Sequence, residues 1–240
     1  MISKNETKYI QSLYHKKTRD EEGVFIAEGV KLVHELLESS FTIRKIYATT
    51  QWATQCHSSH PIIILEEFEL EKISKLTTAN QVLAIVEKRK LVREPQQKQQ
   101  ITIVADGIQD PGNLGTIIRI ADWFGIKQIV ASTDSADVYN SKTIQSTMGS
   151  IVRVDVWYKD VAKWLADCNV PVYGALLNGT SVYELPAVNE ALLVIGNESK
   201  GIRANILPFI QQAVTIPKKG GAESLNAAVA TGIILSHLVK

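Results

Sequence analysis

Short apolar runs alternate along this chain with stretches whose apolar residues recur every three or four positions. Residues 2–17 place Ile2, Tyr9, Ile10, Leu13 and Tyr14 at helical spacing. Val24–Ala27 predicts a strand, and Val30, Leu32, Val33, Leu36 and Leu37 predict a helix closing near Ser39-Ser40. Ile43–Tyr47 alternates like a strand. Ile62–Leu65 is a continuous apolar run, expected to be a strand buried on both faces, and Val82–Val86 is another strand. Phe68, Ile73 and Leu76 mark a short helix between those two. Residues 1–90 are therefore expected to form a small α/β unit. From Lys88 the chain turns polar and Gln-rich, broken by Pro95, and residues 91–100 read as a linker.

Residues 101–240 repeat the alternation on a larger scale. Strands are predicted at Ile101–Ala105, Gln128–Ala131, Ile151–Val156, Val170–Leu177, Ala191–Ile195 and Ala213–Ile216. Between and after them, helices are predicted from near Asn113, over 140–148, around Val161, Trp164 and Leu165, over 203–210, and over 227–237. Such alternation indicates an α/β fold with a mainly parallel sheet covered on both faces.

Composition changes this picture little. Apolar residues make up 45% and charged residues 21%, an ordinary globular balance with material for a core. No apolar run approaches the ~18–20 residues needed to cross a bilayer, so no membrane association is expected. The first residues lack a signal-peptide pattern. Cys56 and Cys168 stand far apart without metal-ligand spacing, which fits a reducing, cytoplasmic compartment and predicts no metal site. A net charge of +1 gives no global basic field, so a nucleic-acid partner would have to be held by local patches.

Candidate chemistry gathers at strand ends, where open α/β sheets bind ligands. The loop Asp106–Arg119 contains Asn113-Leu-Gly-Thr-Ile-Ile-Arg119, which lacks the glycine spacing of a dinucleotide fingerprint and the Lys-Ser/Thr pair of a P-loop. Taken alone, Arg119 reads as a guanidinium snorkelling to a carboxylate. The strand at Ile195 runs into Gly196-Asn197-Glu198 and a turn closed by Gly201. The strand ending at Ile216 runs through Pro217 and two glycines to Ser224-Leu225-Asn226, where a small-and-apolar helix starts. Alone, Ser224 and Asn226 read as helix caps.

As an ordered set, Asn-x-Gly-x-x-x-Arg, Gly-Asn-Glu and Ser-Leu-Asn closely resemble the three motifs of the SpoU, or TrmH-like, RNA ribose 2′-O-methyltransferases of the SPOUT superfamily. Lys16–Val33, with Glu-Gly-Val-Phe-Ile-Ala-Glu-Gly at its centre, is similar to the opening signature of that family's substrate-binding domain. Asn80-Gln-Val-Leu83 departs from the family's Gln-Gly-Val turn, which leaves the details of that loop open.

The resemblance implies a knotted (trefoil) parallel-sheet methyltransferase domain over 101–240, preceded over 1–90 by a smaller α/β L30e-like RNA substrate-binding domain, working as a homodimer. It implies S-adenosyl-L-methionine as cofactor, contacted by Gly196, Ile216 and Leu225, with Leu176 a further pocket member. Arg119, Asn113, Glu198, Ser224 and Asn226 become the expected catalytic set, with Glu198 a partner for Arg119. Arg119 is either the base assisted by an RNA phosphate or the group that holds the phosphate and steadies the developing alkoxide. Lys16, Lys17 and Arg19 are the expected RNA contacts. Ribosomal RNA is expected ahead of transfer RNA. The rival readings are an RNA-binding homologue without catalysis, which a cofactor titration would reveal, and a dehydrogenase, for which the glycine fingerprint is missing.

Overall fold

The computed structural model describes residues 1–239 apart from His57 and Ser59. Its contacts divide into two units, 1–90 with 139–152, and 91–138 with 153–240.

The first unit runs α1 (Lys4–Ser12), α2 (Lys16–Glu22), β1 (Val24–Glu28), α3 (Val30–Leu37), β2 (Ile43–Ala48), α4 (Thr50–Gln55), β3 (Ile62–Ile64), α5 (Glu67–Ile73) and β4 (Val82–Glu87). Its strands form a four-stranded sheet in the order β1-β4-β2-β3, with β4 antiparallel to both neighbours and β3 parallel to β2. One core joins Ile10 and Leu13 of the N-terminal turns to Val24, Ile26, Tyr47, Leu70, Ile73, Leu83 and Ile85. Each fully buried Ile or Leu contributes about 1.5–3 kcal/mol, so this cluster is what holds α1 and α5 to the sheet. The apolar run at 62–65 is not doubly buried: β3 is the sheet's edge, and Ile63 and Ile64 are 40% and 46% exposed. The helix α4 was hidden because among its side chains only Trp52 is buried, too few for an apolar period.

The second unit is built on β5 (Ile101–Asp106), α6 (Pro111–Trp123) and β6 (Gln128–Ser132). The chain then supplies α7 (Ser141–Thr147) and a 3-10 turn at Ser150–Val152 to the first unit before returning. These residues were expected in the second unit, and the strand expected at 151–156 is displaced to β7 (Asp155–Lys159). There follow α8 (Val161–Ala166), β8 (Val172–Ser181), β9 (Ala191–Gly196), β10 (Gln212–Thr215) and α9 (Ala227–Leu238). Only a 3-10 turn at Leu207–Phe209 stands where a helix was expected over 203–210. The six strands are all parallel, ordered β10-β8-β9-β5-β6-β7, so the carboxyl ends of β5 and β9 are neighbours at the sheet's middle.

Candidate active site

Each polar motif is positioned by its own strand end. Asp110 caps α6, accepting from the Asn113 amide at 2.9 Å, and Pro111 fills the first helical position, where its missing N–H costs nothing. Asn113 thus sits in the first turn of α6. After β9, Asn197 and Gly201 exchange backbone hydrogen bonds at 3.0 and 2.9 Å, with Gly201 at φ +68°. The Asn197 side chain ties this turn down, accepting from the amides of Ser199 and Lys200 and donating to the Gly107 carbonyl at 2.7 Å. Glu198 is carried on that turn. Asn226 caps α9, its Oδ1 accepting from the amides of Ala228 and Val229 at 2.9 and 3.2 Å.

These three groups form one directional chain. The α9 amides take the Asn226 oxygen, so its Nδ2 is left to donate, and it does so to Asn113 Oδ1 at 2.8 Å. Asn113 Nδ2 then donates to Glu198 Oε1 at 2.6 Å. Each carboxamide's orientation is set by the one before it, and the chain ends on a carboxylate that must accept. Coupled bonds of this kind stiffen one another. Residues 85 and 113 positions apart are fixed to one another in this way.

Arg119 and Ser224 are not in the chain. Both are exposed, and among the described residues neither side chain has a hydrogen bond or ion pair. The expected pairing of Glu198 with Arg119 is replaced by the bond to Asn113. Nor does Ser224 cap the helix, since Asn226 does so alone.

Gly196 and Ile216 lie at or just beyond the carboxyl ends of β9 and β10, and Leu225 lies just before α9, whereas Leu176 falls in the middle of β8 and not at a strand end as expected. Leu176 is half-buried on the core formed with Val172, Ile202 and Ile206. Ile216 is also half-buried, and Leu225 is 47% exposed. At Gly196 a Cβ would lie 2.3 Å from the backbone of Gly201 and Ile202, so only glycine lets the turn fold back over the strand end. A glycine-only turn with apolar residues at the neighbouring strand ends suits a flat heteroaromatic ring, such as an adenine, held through backbone groups.

Sequence reasoning missed a second polar system at the same sheet end. Asp106, fully buried at the end of β5, accepts from the Arg203 amide at 2.9 Å and pairs with its guanidinium, which also reaches Asp134 at 3.4 Å. The Ser132 hydroxyl, and to a lesser degree Arg203, hold the Asp134 carboxyl below its usual range. The available signal was an aspartate ending an otherwise apolar strand, which needs a cation from another strand-end loop.

In the first unit, Lys16 and Lys17 are exposed and form intrahelical pairs with Asp20 and Glu21. Arg19 is 2% exposed and donates to the carbonyls of Leu13 and Tyr14 at 3.1 and 2.8 Å. It braces the turn between α1 and α2 and does not face a ligand, which corrects its assignment as an RNA contact. Among the described residues no His, Cys, Asp and Glu group could hold a metal, and no helix is long and apolar enough to cross a membrane.

Comparison with known proteins gives the same outline. Residues 100–236 match the SpoU rRNA Methylase family, and residues 4–84 match an MRM3-like substrate binding domain. The chain is 32% identical, over 95% of its length and 93% of the relative's, to the 23S rRNA (guanosine(2553)-2′-O)-methyltransferase RlmP of Bacillus subtilis. Among solved structures it superposes with TM-score 0.86, at 38% identity over 100% of this chain and 98% of the other, on a putative RNA methyltransferase of the TrmH family from Porphyromonas gingivalis. With TM-score 0.85 and 26% identity, over 98% and 97% of the two chains, it matches the SpoU methyltransferase AviRb from Streptomyces viridochromogenes in complex with AdoMet.

Proposed function

The chain belongs to the SpoU rRNA methylase family, and on that premise we propose that it transfers a methyl group from S-adenosyl-L-methionine to a ribose 2′-hydroxyl of ribosomal RNA. The observation that carries this reading is the hydrogen-bond chain from the N-terminus of α9 through Asn226 and Asn113 to Glu198, which joins all three family motifs at one sheet end. Bound there, the cofactor supplies an electrophilic methyl carbon on a sulfonium. Gly196, Ile216 and Leu225, with Leu176, would hold it, in keeping with the AdoMet bound in the AviRb structure.

The rest is positioning. Glu198, Asn113 and Asn226 keep the sheet end rigid beneath the ribose, and the exposed Ser224 hydroxyl hydrogen-bonds the substrate. The reaction needs the ribose oxygen in line with the methyl carbon, and fixed geometry of this kind lowers the barrier by holding the two reacting atoms in near-attack position. A guanidinium is essentially always protonated, so exposed Arg119, without a partner among the described residues, holds the neighbouring phosphate and stabilises alkoxide charge and does not take the proton. As the O–CH3 bond forms the S–CH3 bond breaks, neutral S-adenosylhomocysteine leaves, and the hydroxyl proton passes to solvent water.

Residues 1–90 select the RNA, with Lys16 and Lys17 among the contacts, and residues 101–240, joined to them by the linker 91–100, catalyse. The match to a substrate-binding domain and the 23S rRNA action named for the relative favour ribosomal over transfer RNA. That substrate makes the enzyme cytoplasmic. A knotted C-terminal segment belongs to this reading, and it is supported by β10 lying outside β8 while Asn226 and Val239, at the two ends of α9, return to Asn113 and Val188. A homodimer covers the apolar outer face of α6 and α9. There Trp123 and Val229 are 85% and 50% exposed, and Ile120 packs near Gly232.

The test is to map 2′-O-methyl sites in ribosomal RNA from cells with and without the protein, and to repeat transfer with purified chain and labelled cofactor on matched RNA and DNA. Loss of one site and RNA-only transfer are expected, since DNA lacks the acceptor. Equal methylation of DNA, or an unchanged map, overturns the reading.

A further inference from the structure

Methyl transfer leaves three buried charges of the first unit unused, Arg19, Glu28 and Glu69, and of these Glu28 is held by hydroxyls alone. Glu28 ends β1 and is 5% exposed. Its carboxylate accepts from the Tyr14 hydroxyl at 2.5 Å and the Ser74 hydroxyl at 2.5 Å, and among the described residues no cation pairs with it. A carboxylate offers about four acceptor positions, so roughly half remain open.

Glu28 lines a cavity of about 260 Å³ within the first unit, together with apolar Ile26 and Leu76, and Lys75, Lys142 and Gln145. Lys75 is exposed, and its ammonium sits 4.7 Å above the Tyr14 ring. A free anion would meet Glu28 here, and a free cation would meet two lysines. A ligand with an N–H edge at one end and a phosphate at the other satisfies both. The volume falls just under the roughly 300–1,000 Å³ of small-molecule pockets, which suits one base and excludes a helix.

We propose that this cavity takes a single unstacked guanosine of the RNA substrate, its N1–H and N2–H₂ on Glu28 and its phosphate on Lys75 and Lys142. The proposal rests on the RNA reading above. Sequence-specific RNA recognition works through bases splayed out of the stack. Guanine alone presents two adjacent donors to a carboxylate; on adenine, cytosine and uracil a ring nitrogen or carbonyl acceptor would face it.

The experiment measures binding of the full chain to single-stranded RNA hexamers with one central guanosine or inosine in a uridine context. Inosine lacks the N2 amine, and losing a bond to a charged acceptor is expected to weaken binding about tenfold. Glu28→Gln should erase the difference between the two hexamers. Lys75→Ala, an exposed site where folding is not at risk, should weaken both and lower the slope of log K against log salt by about 1. Equal affinity for the hexamers in the unsubstituted chain, or an unchanged salt slope in Lys75→Ala, overturns the proposal. Cofactor affinity and methyl transfer measured on the same preparations separate the two failures. A chain that methylates ribosomal RNA without discriminating the hexamers loses only the pocket, whereas one that discriminates them and methylates nothing loses the functional reading.

Discussion

Two arginines to which the sequence assigned functional roles, one catalytic and one in RNA contact, end in opposite situations. Arg119 projects from the second unit with no partner among the described residues, while Arg19 lies 2% exposed in the first unit, bonded to two backbone carbonyls. A charge that the fold does not use is available for chemistry; one the fold has consumed is not. The contrast extends to the carboxylates. Glu198 is held by the side chain of another motif, whereas Glu28 is held by hydroxyls of the surrounding scaffold.

The pair of alanine substitutions is the most direct way to break this contrast. Arg119→Ala should lower methyl transfer by at least about 10²–10³-fold, the usual effect of removing one charge-stabilising donor. Its melting temperature and cofactor affinity should stay unchanged. Arg19→Ala should do the reverse, leaving the buried Leu13 and half-buried Tyr14 carbonyls without this donor at about 2 kcal/mol of stability. Denaturant melts and single-turnover rates on both variants decide it, and a stable, slow Arg19→Ala would erase the distinction.

Glycines sharpen it further. Gly196→Ala drives a Cβ to 2.3 Å from fixed backbone, so the turn carrying Glu198 must shift, at about 1–3 kcal/mol and with weakened cofactor binding by calorimetry. Gly23→Ala, after α2, meets open space, and its φ of +65° alone carries the penalty, about 1 kcal/mol. Cofactor affinity should move only in the first variant.

The sequence made the local features legible because they are periodic: the strand–helix alternation, the cap at Asn226 and the three strand-end motifs all rest on neighbours within a few positions. What it hid is set by distant packing. The segment 139–152 reads as one more helix of the second unit, yet it packs with the first, and only contacts such as Phe25 with Tyr139 place it there. Ile62–Ile64 has the composition of a central strand, and its edge position follows from pairing order alone. Asp106 and Arg203 are 97 positions apart, so neither residue by itself announces the pair.

Coupling within the site is the next test, and a smaller effect. Asn113→Ala and Asn226→Ala each break the chain leading to Glu198, and Asn226→Ala also removes a helix cap worth about 1 kcal/mol. If the chain acts as one unit, the double variant should transfer methyl groups scarcely more slowly than the worse single one. A coupling energy of about 1 kcal/mol in the rate constants is expected. Strict additivity would mean that the hydrogen bonds do not transmit position.

The smallest effect concerns acid. Glu6 in the first unit accepts from Lys45 at 2.8 Å and from the Tyr47 hydroxyl, and these two bonds hold its carboxyl below the usual range against the opposing effect of burial. A depressed folded pKa means that the unfolded chain takes up the proton first. The stabilisation is therefore complete above the unfolded value of about 4.5 and is lost as pH falls through the folded one. Asp134 in the second unit has the same sign, from an unfolded value near 3.8. With Lys45 45% exposed, the Glu6 pair is worth only a few tenths of a kcal/mol. Glu6→Gln should flatten the fall in stability as pH drops below about 4.5 and leave the acid limb due to Asp134 in place. A variant whose acid limb is unchanged would show that Lys45 is held by solvent and not by Glu6.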